Sequence, residues 1–582
     1  MSEARIRTAL ARVLREMGVE DAQIRLERPR DPSHGEWATN VAMTLASRLK
    51  RSPRDIAQEV AERMEGEEVG AERVEVAGPG FLNFHLSSGA IAGVLEGILE
   101  EGQGFGRTDA GRGRPFMVEF VSANPTGPLH LGHGRQAALG DAISALLEAT
   151  GWSVHREYYY NDAGKQMDLL ARSVWARYQE ELGEEAGLPE GGYRGAYVRD
   201  VARALLEVRG DRYRGDESTE ALEAMRRFAV QALREEQDED LAAFRVVFDE
   251  YFLESSLYEE GRVEETIQAL RDTGLVFEKD GALWLRTTEF GDQKDRVMVR
   301  QDGNPTYFLP DVAYHLTKWE RGFRNAINVQ GADHHGTVHR VRAGLQALGL
   351  PPGYPEYVLH QMVSVEREGK EVRFSKRAGS YTTLRELFQE VGVDVARYFF
   401  LMRKPEAHLV FDLDVALDQS EKNPVYKIQY AHARMCSIFR KAGREEASIG
   451  APRGTSGDAP GEASPDRLSH PLERDLMTRL ADFPVTVERA AENRTPHLLC
   501  EYLEQTAGAV NSWYHAGNPT RNPELAVLVP DPDLREARLA LARAVRIVLR
   551  NGLEILGVSA PTRMERHEEE SEEESEEEGQ HA

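Results

Sequence analysis

A short apolar strand runs into a helix through a corner of glycine, proline and histidine, and this feature constrains the chain more than any other. Pro115 to Val121 has the size and composition of a strand, and Gly134 to Thr150 places Ala138, Ala142, Leu146 and Leu147 on one helical face. Between them lies Ser122-Ala-Asn-Pro-Thr-Gly-Pro-Leu-His-Leu-Gly-His133. The same alternation returns at Ala326 to Val329, a strand followed by a helix through Val341, Leu345 and Leu348. Strands alternating with longer helical patterns imply a parallel α/β sheet. In such a sheet ligands bind at the carboxyl ends of strands, and phosphates favour helix N-termini. His130 and His133 stand at that entrance, spaced so that both rings can point the same way and hold phosphate oxygens. Gly132, with no side chain, would let an adenine ring lie close to the backbone.

A chain of 582 residues has room for roughly two to four domains. Its 41% hydrophobic and 29% charged residues are those of a soluble globular protein. No apolar run is long enough to span a bilayer, and Met1 to Arg15 lacks the uninterrupted hydrophobic segment of a signal peptide. Two cysteines, Cys436 and Cys500, exclude a disulfide framework and a CxxC metal knuckle, which points to a reducing cytosol. The formal net charge of -26 opposes a nucleic-acid partner, so binding of that kind must rest on local basic faces. Part of the excess sits in the tail Glu568 to Glu578, Glu broken only by Ser571 and Ser575, which should be disordered.

Four segments separate by pattern. Residues 1–100 read as a small α+β domain, opening with Ile6, Leu10, Val13 and Leu14 on one helical face and closing with the alternation Phe81 to Leu86. Residues 107–400 form the parallel-sheet domain, with a Glu/Arg-rich helical insertion from Glu180 to Glu250. Residues 418–566 read as nearly all helix, interrupted by a Gly/Pro/Ser-rich loop over 450–461. Residues 567–582 are the acidic tail. The expected class is therefore α/β: a Rossmann-like parallel-sheet core with an N-terminal α+β domain and an all-helical C-terminal domain. A P-loop pattern is absent.

The corner resembles the HIGH signature of class I aminoacyl-tRNA synthetases, here His130-Leu131-Gly132-His133, and the full string from Ser122 resembles the arginyl branch. Far downstream, Glu371-Val-Arg373-Phe374-Ser375-Lys376-Arg377-Ala-Gly379 is similar to the KMSKS loop. Arg373 and Phe374 replace the usual Lys and Met, while Ser375 and Lys376 are kept. The resemblance implies His130, His133 and Lys376 as catalytic residues. It implies ATP contacts from Gly132, His130, His133, Ser375, Lys376 and His334, with Lys376 neutralising the departing pyrophosphate.

An arginine substrate sets a second requirement. Its planar, always charged guanidinium needs a carboxylate that accepts two hydrogen bonds. Tyr307-Phe-Leu-Pro-Asp311 resembles the family's pocket segment, with Asp311 as main partner and Tyr307 as a wall. The resemblance adds Glu119, Ser122, Asn124 and Asp333 to the arginine contacts. Glu119 also stands out on its own as a lone charge in an apolar strand, where burial demands pairing. Gln330-Gly-Ala-Asp333-His334-His335-Gly336 looks like the stretch that lines the substrate and adenosine pocket. His335 and His339 have helical spacing, but Gly336 stands where the zincin motif needs Glu, so no metal is assigned.

On the nucleic-acid side, Asn423-Pro-Val-Tyr426-Lys-Ile-Gln-Tyr430-Ala-His-Ala-Arg434 resembles the start of the family's helical anticodon-binding domain. His34 to Val41 and Gly78 to Asn83 resemble the appended domain that contacts the tRNA elbow. On the last helix Arg535, Arg538, Arg543, Arg546 and Arg550 fall on one face, a stripe suited to phosphates. The implied reaction has two steps: ATP activates L-arginine, then the 2′-OH of the terminal adenosine of tRNA(Arg) takes the arginyl group. Mg²⁺ arrives with ATP. The family pattern also implies tRNA-dependent activation, a monomer and a cytoplasmic location. A cysteinyl-type enzyme would need zinc-ligand cysteines, and a non-catalytic RNA-binding paralogue would have no need of His130, His133 and Lys376.

Overall fold

The structure is a computed structural model and describes residues 2–27, 29, 34–65, 70–162, 164–372, 382–444 and 465–564. Arg373, Phe374, Ser375, Lys376, the 450–461 loop and the acidic tail lie outside the described residues.

The N-terminal part packs helices Ser2–Glu16, Val41–Leu49 and Pro53–Met64 on a three-stranded antiparallel sheet, with Phe81–Leu86 between Trp37–Thr39 and Ala71–Ala77. Ile6, Leu10, Val13 and Leu14 all turn into this core. The tight turn before the middle strand needs Gly80, whose φ is 134° and whose Cβ would sit 2.9 Å from the Pro53 backbone.

Five parallel strands form the central sheet: β1 Pro115–Glu119, β2 Ser153–Tyr160, β3 Glu250–Leu253, β4 Ala326–Gly331 and β5 Glu356–His360. Their order is β5-β4-β1-β2-β3. The winding reverses between β1 and β4, which opens a crevice at the carboxyl ends of those two strands. Phe116, Met117 and Val118 are all buried because helices cover both faces of the sheet. Helix α1, Leu131–Ala149, follows β1 and is buried nearly all round. It lies so close to the strand that a Cβ on Gly140 would meet the Phe120 ring at 2.1 Å. Helix α2, Phe308–Glu320, precedes β4, and helix α3, His335–Ala347, follows it.

Two insertions depart from the sequence expectation. The helical one begins at Lys165 and comprises Lys165–Glu181, Ala196–Arg209 and Thr219–Ala243 around its own core of Leu170, Val174, Tyr178, Leu205 and Met225. Glu250 belongs to β3 instead, a four-residue strand too short to show alternation. A second insertion, an antiparallel sheet of Val276–Lys279, Ala282–Leu285 and Arg296–Val299, interrupts the parallel pattern.

The C-terminal bundle is Pro424–Lys441, Pro471–Ala481, Phe483–Asn493, His497–Ala516 and Pro532–Ile555. The arginines of the last helix are not an open phosphate track. That helix is central and packs against three helices of the bundle and against Ser88–Glu101. Arg538 is 3% exposed, pairs with Glu473 at 2.7 Å and donates to the carbonyls of Glu524 and Ala526. Arg546 lies over the Phe439 ring, and Arg550 pairs with Glu554. Fully buried Arg397 joins the units. It pairs with Asp141 of α1 and donates to the carbonyls of Phe244 and Leu556.

Candidate active site

Between β1 and α1 the backbone makes an unusual corner. Val121 and Ser122 have φ of 65° and 43°. A β-branched residue in the left-handed region is strained and persists only where surrounding contacts hold it. Those contacts come from three elements. The Tyr158 hydroxyl on β2 donates to the carbonyl of Ala123 and accepts its N–H, both at 3.1 Å. From the helical insertion, Gln237 donates to the carbonyls of Asn124 and Gly127, and Tyr197 donates to that of Thr126. The Gln136 amide, oriented to satisfy both neighbours, donates to the Val121 carbonyl at 3.0 Å and accepts the Gly331 N–H at 3.1 Å. The insertion and the β4 loop thus brace the corner.

His130 is the N-cap of α1. Its Nδ1 accepts the N–H of Gly132 at 3.1 Å and of His133 at 3.4 Å, and the Nδ1 of His133 accepts the N–H of His130 at 3.3 Å. The rings stack with centroids 3.6 Å apart. With each Nδ1 occupied as an acceptor, the ring proton sits on Nε2, which makes that atom the donor of each imidazole. Burial lowers both pKa values, that of His133 well below the ordinary histidine range, with His130 and His360 lowering it further. Two neutral donors therefore stand at the positive end of a helix. Gly132 acquires a second reason: a Cβ there would come within 2.9 Å of the His130 ring.

Lys376 and Ser375 lie outside the described residues, but the residues that follow their loop do not. The Leu384 N–H donates to the Leu129 carbonyl at 2.8 Å, and Thr383 bridges to His130. Thr383 and Leu384 are therefore tied to the histidine corner.

An acidic end lies on the other side of the crevice. Glu119 is 4% exposed; it pairs with fully buried Lys318 and accepts a hydrogen bond from Ser122 Oγ at 3.1 Å. Asp311, in the first turn of α2, has no hydrogen-bond or ion-pair partner for its carboxylate among the described residues. Burial, then the charges of Glu254 and Glu119, raise its pKa to about 7, with Lys318 opposing. Glu254 is itself raised by burial and accepts from the Tyr159 hydroxyl at 2.9 Å. Asn124 reaches Gln166 at 2.7 Å. Tyr307 is the N-cap residue of α2 and is 71% exposed. Asp333 and His334 follow β4, with side chains 82% and 54% exposed, and the Asp333 charge reaches His130 and His360.

Family models match the chain in three blocks: the arginyl tRNA synthetase N terminal domain over residues 3–86, the class I (R) tRNA synthetase catalytic domain over 95–409, and the DALR anticodon binding domain over 428–564. The arginine–tRNA ligase of Thiobacillus denitrificans is 49% identical over 548 residues, covering 93% of this chain and 95% of the relative. The chain belongs to the arginyl-tRNA synthetase family. The Bordetella petrii arginine–tRNA ligase is 50% identical over 96% of this chain and 98% of its own length. The solved arginyl-tRNA synthetase of Thermus thermophilus superposes with a TM-score of 0.73 at 25% identity, covering 96% of this chain and 99% of that one.

For an arginyl-tRNA synthetase, the sequence reading did not single out Glu254, Lys318 and Asn328 at the acidic end of the crevice. A signal existed for Lys318: with Asp311, Tyr314 and His315 it makes a polar row at helical spacing on the buried face of an otherwise apolar helix. Nothing local marks Glu254. His335 and His339 make a ring contact at 5.6 Å. Among the described residues His155, Glu157 and Glu250 are grouped tightly enough for a metal, but the Arg321 guanidinium pairs with both carboxylates there.

Within the anticodon-binding domain lies a cavity of about 720 Å³ lined by Tyr430, Arg434, Trp513, Tyr514, His515 and Met564, among others. Arg434 lies over the rings of Tyr430 and Tyr514, 4.3 and 4.9 Å from their centroids, and donates to Asn511 at 2.9 Å.

Proposed function

We propose that the crevice between β1 and β4 performs the reaction of this family with its two ends divided by chemistry. The chain is an arginine–tRNA ligase of class I, with ATP, arginine and tRNA as substrates. The observation that carries the division is the unpartnered Asp311 carboxylate opposite two neutral histidine donors.

In this reading the guanidinium of arginine seats against Asp311 and Glu254, supplying the positive charge that both lack. Glu119, Ser122 and Asn124 contact the α-amino and side-chain groups of arginine. Tyr307 and Asp333 close the pocket from its rim. The arginine carboxylate then attacks the α-phosphorus of ATP. The bond to the β,γ-pyrophosphate breaks, and the pyrophosphate leaves with its electron pair. His130 and His133 donate through Nε2 to phosphate oxygens, while Gly132 and His334 sit along the adenosine. Lys376 and Ser375 neutralise the leaving pyrophosphate. In the second step the tRNA terminal 2′-OH attacks the arginyl carbonyl carbon, and AMP departs. The side chains act by positioning and charge, and no protein base is required. Mg²⁺ fits this site as a companion of ATP held by phosphate oxygens, since the carboxylate facing the histidines is the exposed Asp333.

The DALR cavity suits splayed bases that stack on Tyr430, Trp513 or Tyr514, and in this reading the N-terminal domain takes the tRNA contacts beyond the catalytic core. A cytoplasmic monomer accords with two buried, free cysteines, and no described helix is long and apolar enough to cross a membrane. ATP–pyrophosphate exchange across the amino acids, with and without tRNA, tests the assignment. Exchange with arginine alone, dependent on tRNA, is the expected result, and exchange with another amino acid overturns the Asp311 pocket.

A further inference from the structure

Where the chain leaves the N-terminal domain, one glutamate and one arginine gather three pieces of the fold. Glu36 stands just before the strand Trp37–Thr39 and gives its N–H to the Phe84 carbonyl at 2.9 Å. One oxygen of its carboxylate accepts the Leu86 N–H at 2.7 Å. The other accepts from Arg474 at 2.9 Å, on the bundle helix Pro471–Ala481. The same Arg474 nitrogen donates to the Leu86 carbonyl at 3.1 Å. Glu36 and Arg474 lie 438 positions apart in the sequence, and both side chains are partly shielded from solvent.

Arg474 acts from a fixed base. Its neighbour Glu473 completes a capping box with His470 and pairs with buried Arg538 of the last helix. Beyond Leu86 the chain enters Ser88–Glu101, which packs on the last helix and on Pro471–Ala481. Past the far end of that linking helix, Asn551 of the last helix donates to the carbonyls of Gly102 and Phe105, each at 3.0 Å. The N-terminal helices and strands, by contrast, pack mainly on one another. Domains connected in this way move relative to each other unless something holds the angle between them. Leu86 lies at the connection, so Arg474 grips the chain where a swing would pivot, and Glu36 ties the domain's entry to the same point. A single partly exposed ion pair adds little to stability. At a pivot, however, it decides direction.

We infer that Glu36 and Arg474 form a joint that fixes the direction in which the N-terminal domain faces a bound tRNA. The inference rests on the reading above, in which that domain takes tRNA contacts beyond the catalytic core. A tRNA held by both the bundle and the N-terminal domain is bound at two places by one body. The second contact then forms at an effective concentration set by how well the two surfaces keep the right span. Freeing the joint weakens tRNA binding and leaves the sites for arginine and ATP as they are.

The test is aminoacylation by the full chain with tRNA(Arg) as the varied substrate. Arg474→Met removes the donor and keeps the apolar stem. It is expected to raise the tRNA KM about fivefold, with kcat and the arginine and ATP KM values within about twofold. Arg474→Lys keeps a charged donor and is expected to stay within about twofold of the unaltered protein. Glu36→Ala separates the joint from plain attraction. Loss of a negative charge by itself strengthens binding to a polyanion, whereas loss of the joint raises the tRNA KM about fivefold. An unchanged or lowered tRNA KM in Glu36→Ala overturns the joint. So does a lysine variant as weak as the methionine one, or tRNA, arginine and ATP constants that move together. Where Glu36→Ala does not fold, Arg474→Met against Arg474→Lys decides. Footprinting of tRNA(Arg) on the unaltered protein is expected to show protection outside the acceptor and anticodon arms, fading in Arg474→Met. No such protection sinks the tRNA contact of the N-terminal domain and the joint with it; protection kept in Arg474→Met with an unchanged tRNA KM sinks the joint alone.

Discussion

The last helix of the C-terminal bundle and the acidic end of the crevice both bury charge, yet they finish the job differently. In the bundle, Arg538 closes on Glu473 and two carbonyls, and nothing is left over. In the crevice, Lys318 closes on Glu119 and Arg321 on Glu157, but Asp311 is left without a partner. A complete buried pair holds helices together, whereas an incomplete one is, on the reading proposed above, a site that waits for a cation. Holding an unpaired carboxylate partly buried beside other carboxylates is unfavourable, so it persists where a ligand supplies the missing charge.

The largest test of that contrast is Asp311→Asn. It should lower kcat/KM for arginine about 1,000-fold, or ~4 kcal/mol for a lost charge-assisted pair of bonds, with the thermal midpoint held or raised. A drop in the midpoint alongside the lost activity would mean that Asp311 is structural after all. Arg538→Met should do the reverse. Leaving Glu473 buried and unpaired costs about 3 kcal/mol of unfolding free energy by denaturant titration, with arginine KM unchanged at low temperature. An altered arginine KM would show that the two regions are not independent.

His130→Asn separates the two roles of the corner histidine. Asparagine is a good N-cap, so stability should stay within about 0.5 kcal/mol. The Nε2 donor is lost, so exchange should slow about 100-fold, or ~2.7 kcal/mol. Full exchange activity in His130→Asn beside a loss in His130→Ala would instead point to capping alone.

The smallest effect is the pH dependence. Asp311 is held at about 7, so between the ordinary carboxylate range and pH 7 the folded protein keeps a proton that the unfolded chain releases. Ionisation therefore costs the empty pocket stability as pH rises through 7, while arginine binding needs the ionised form. Arginine KM should fall about tenfold from pH 6 to pH 8, and Asp311→Asn should flatten that slope. Burial alone would raise Glu157, but His155, Lys318 and Arg321 outweigh it and hold it at about 2, so it contributes nothing in this range. A slope that survives in the variant assigns the titration elsewhere.

The sequence by itself determined the parts whose signal is local. The strand–corner–helix unit at His130, the alternation that makes the sheet parallel, and the charge of Glu119 in an apolar strand were all legible, because side-chain period and turn chemistry act within a few residues. Non-local partners decided the rest. Glu119 is buried because β4 and β2 flank β1, and it is tolerable there because Lys318, far along the chain, reaches it. Glu254 joined the site only when β3 paired with β2. The arginine stripe of the last helix misled for the same reason: helical spacing shows which residues share a face, but only packing decides whether that face meets solvent or another helix.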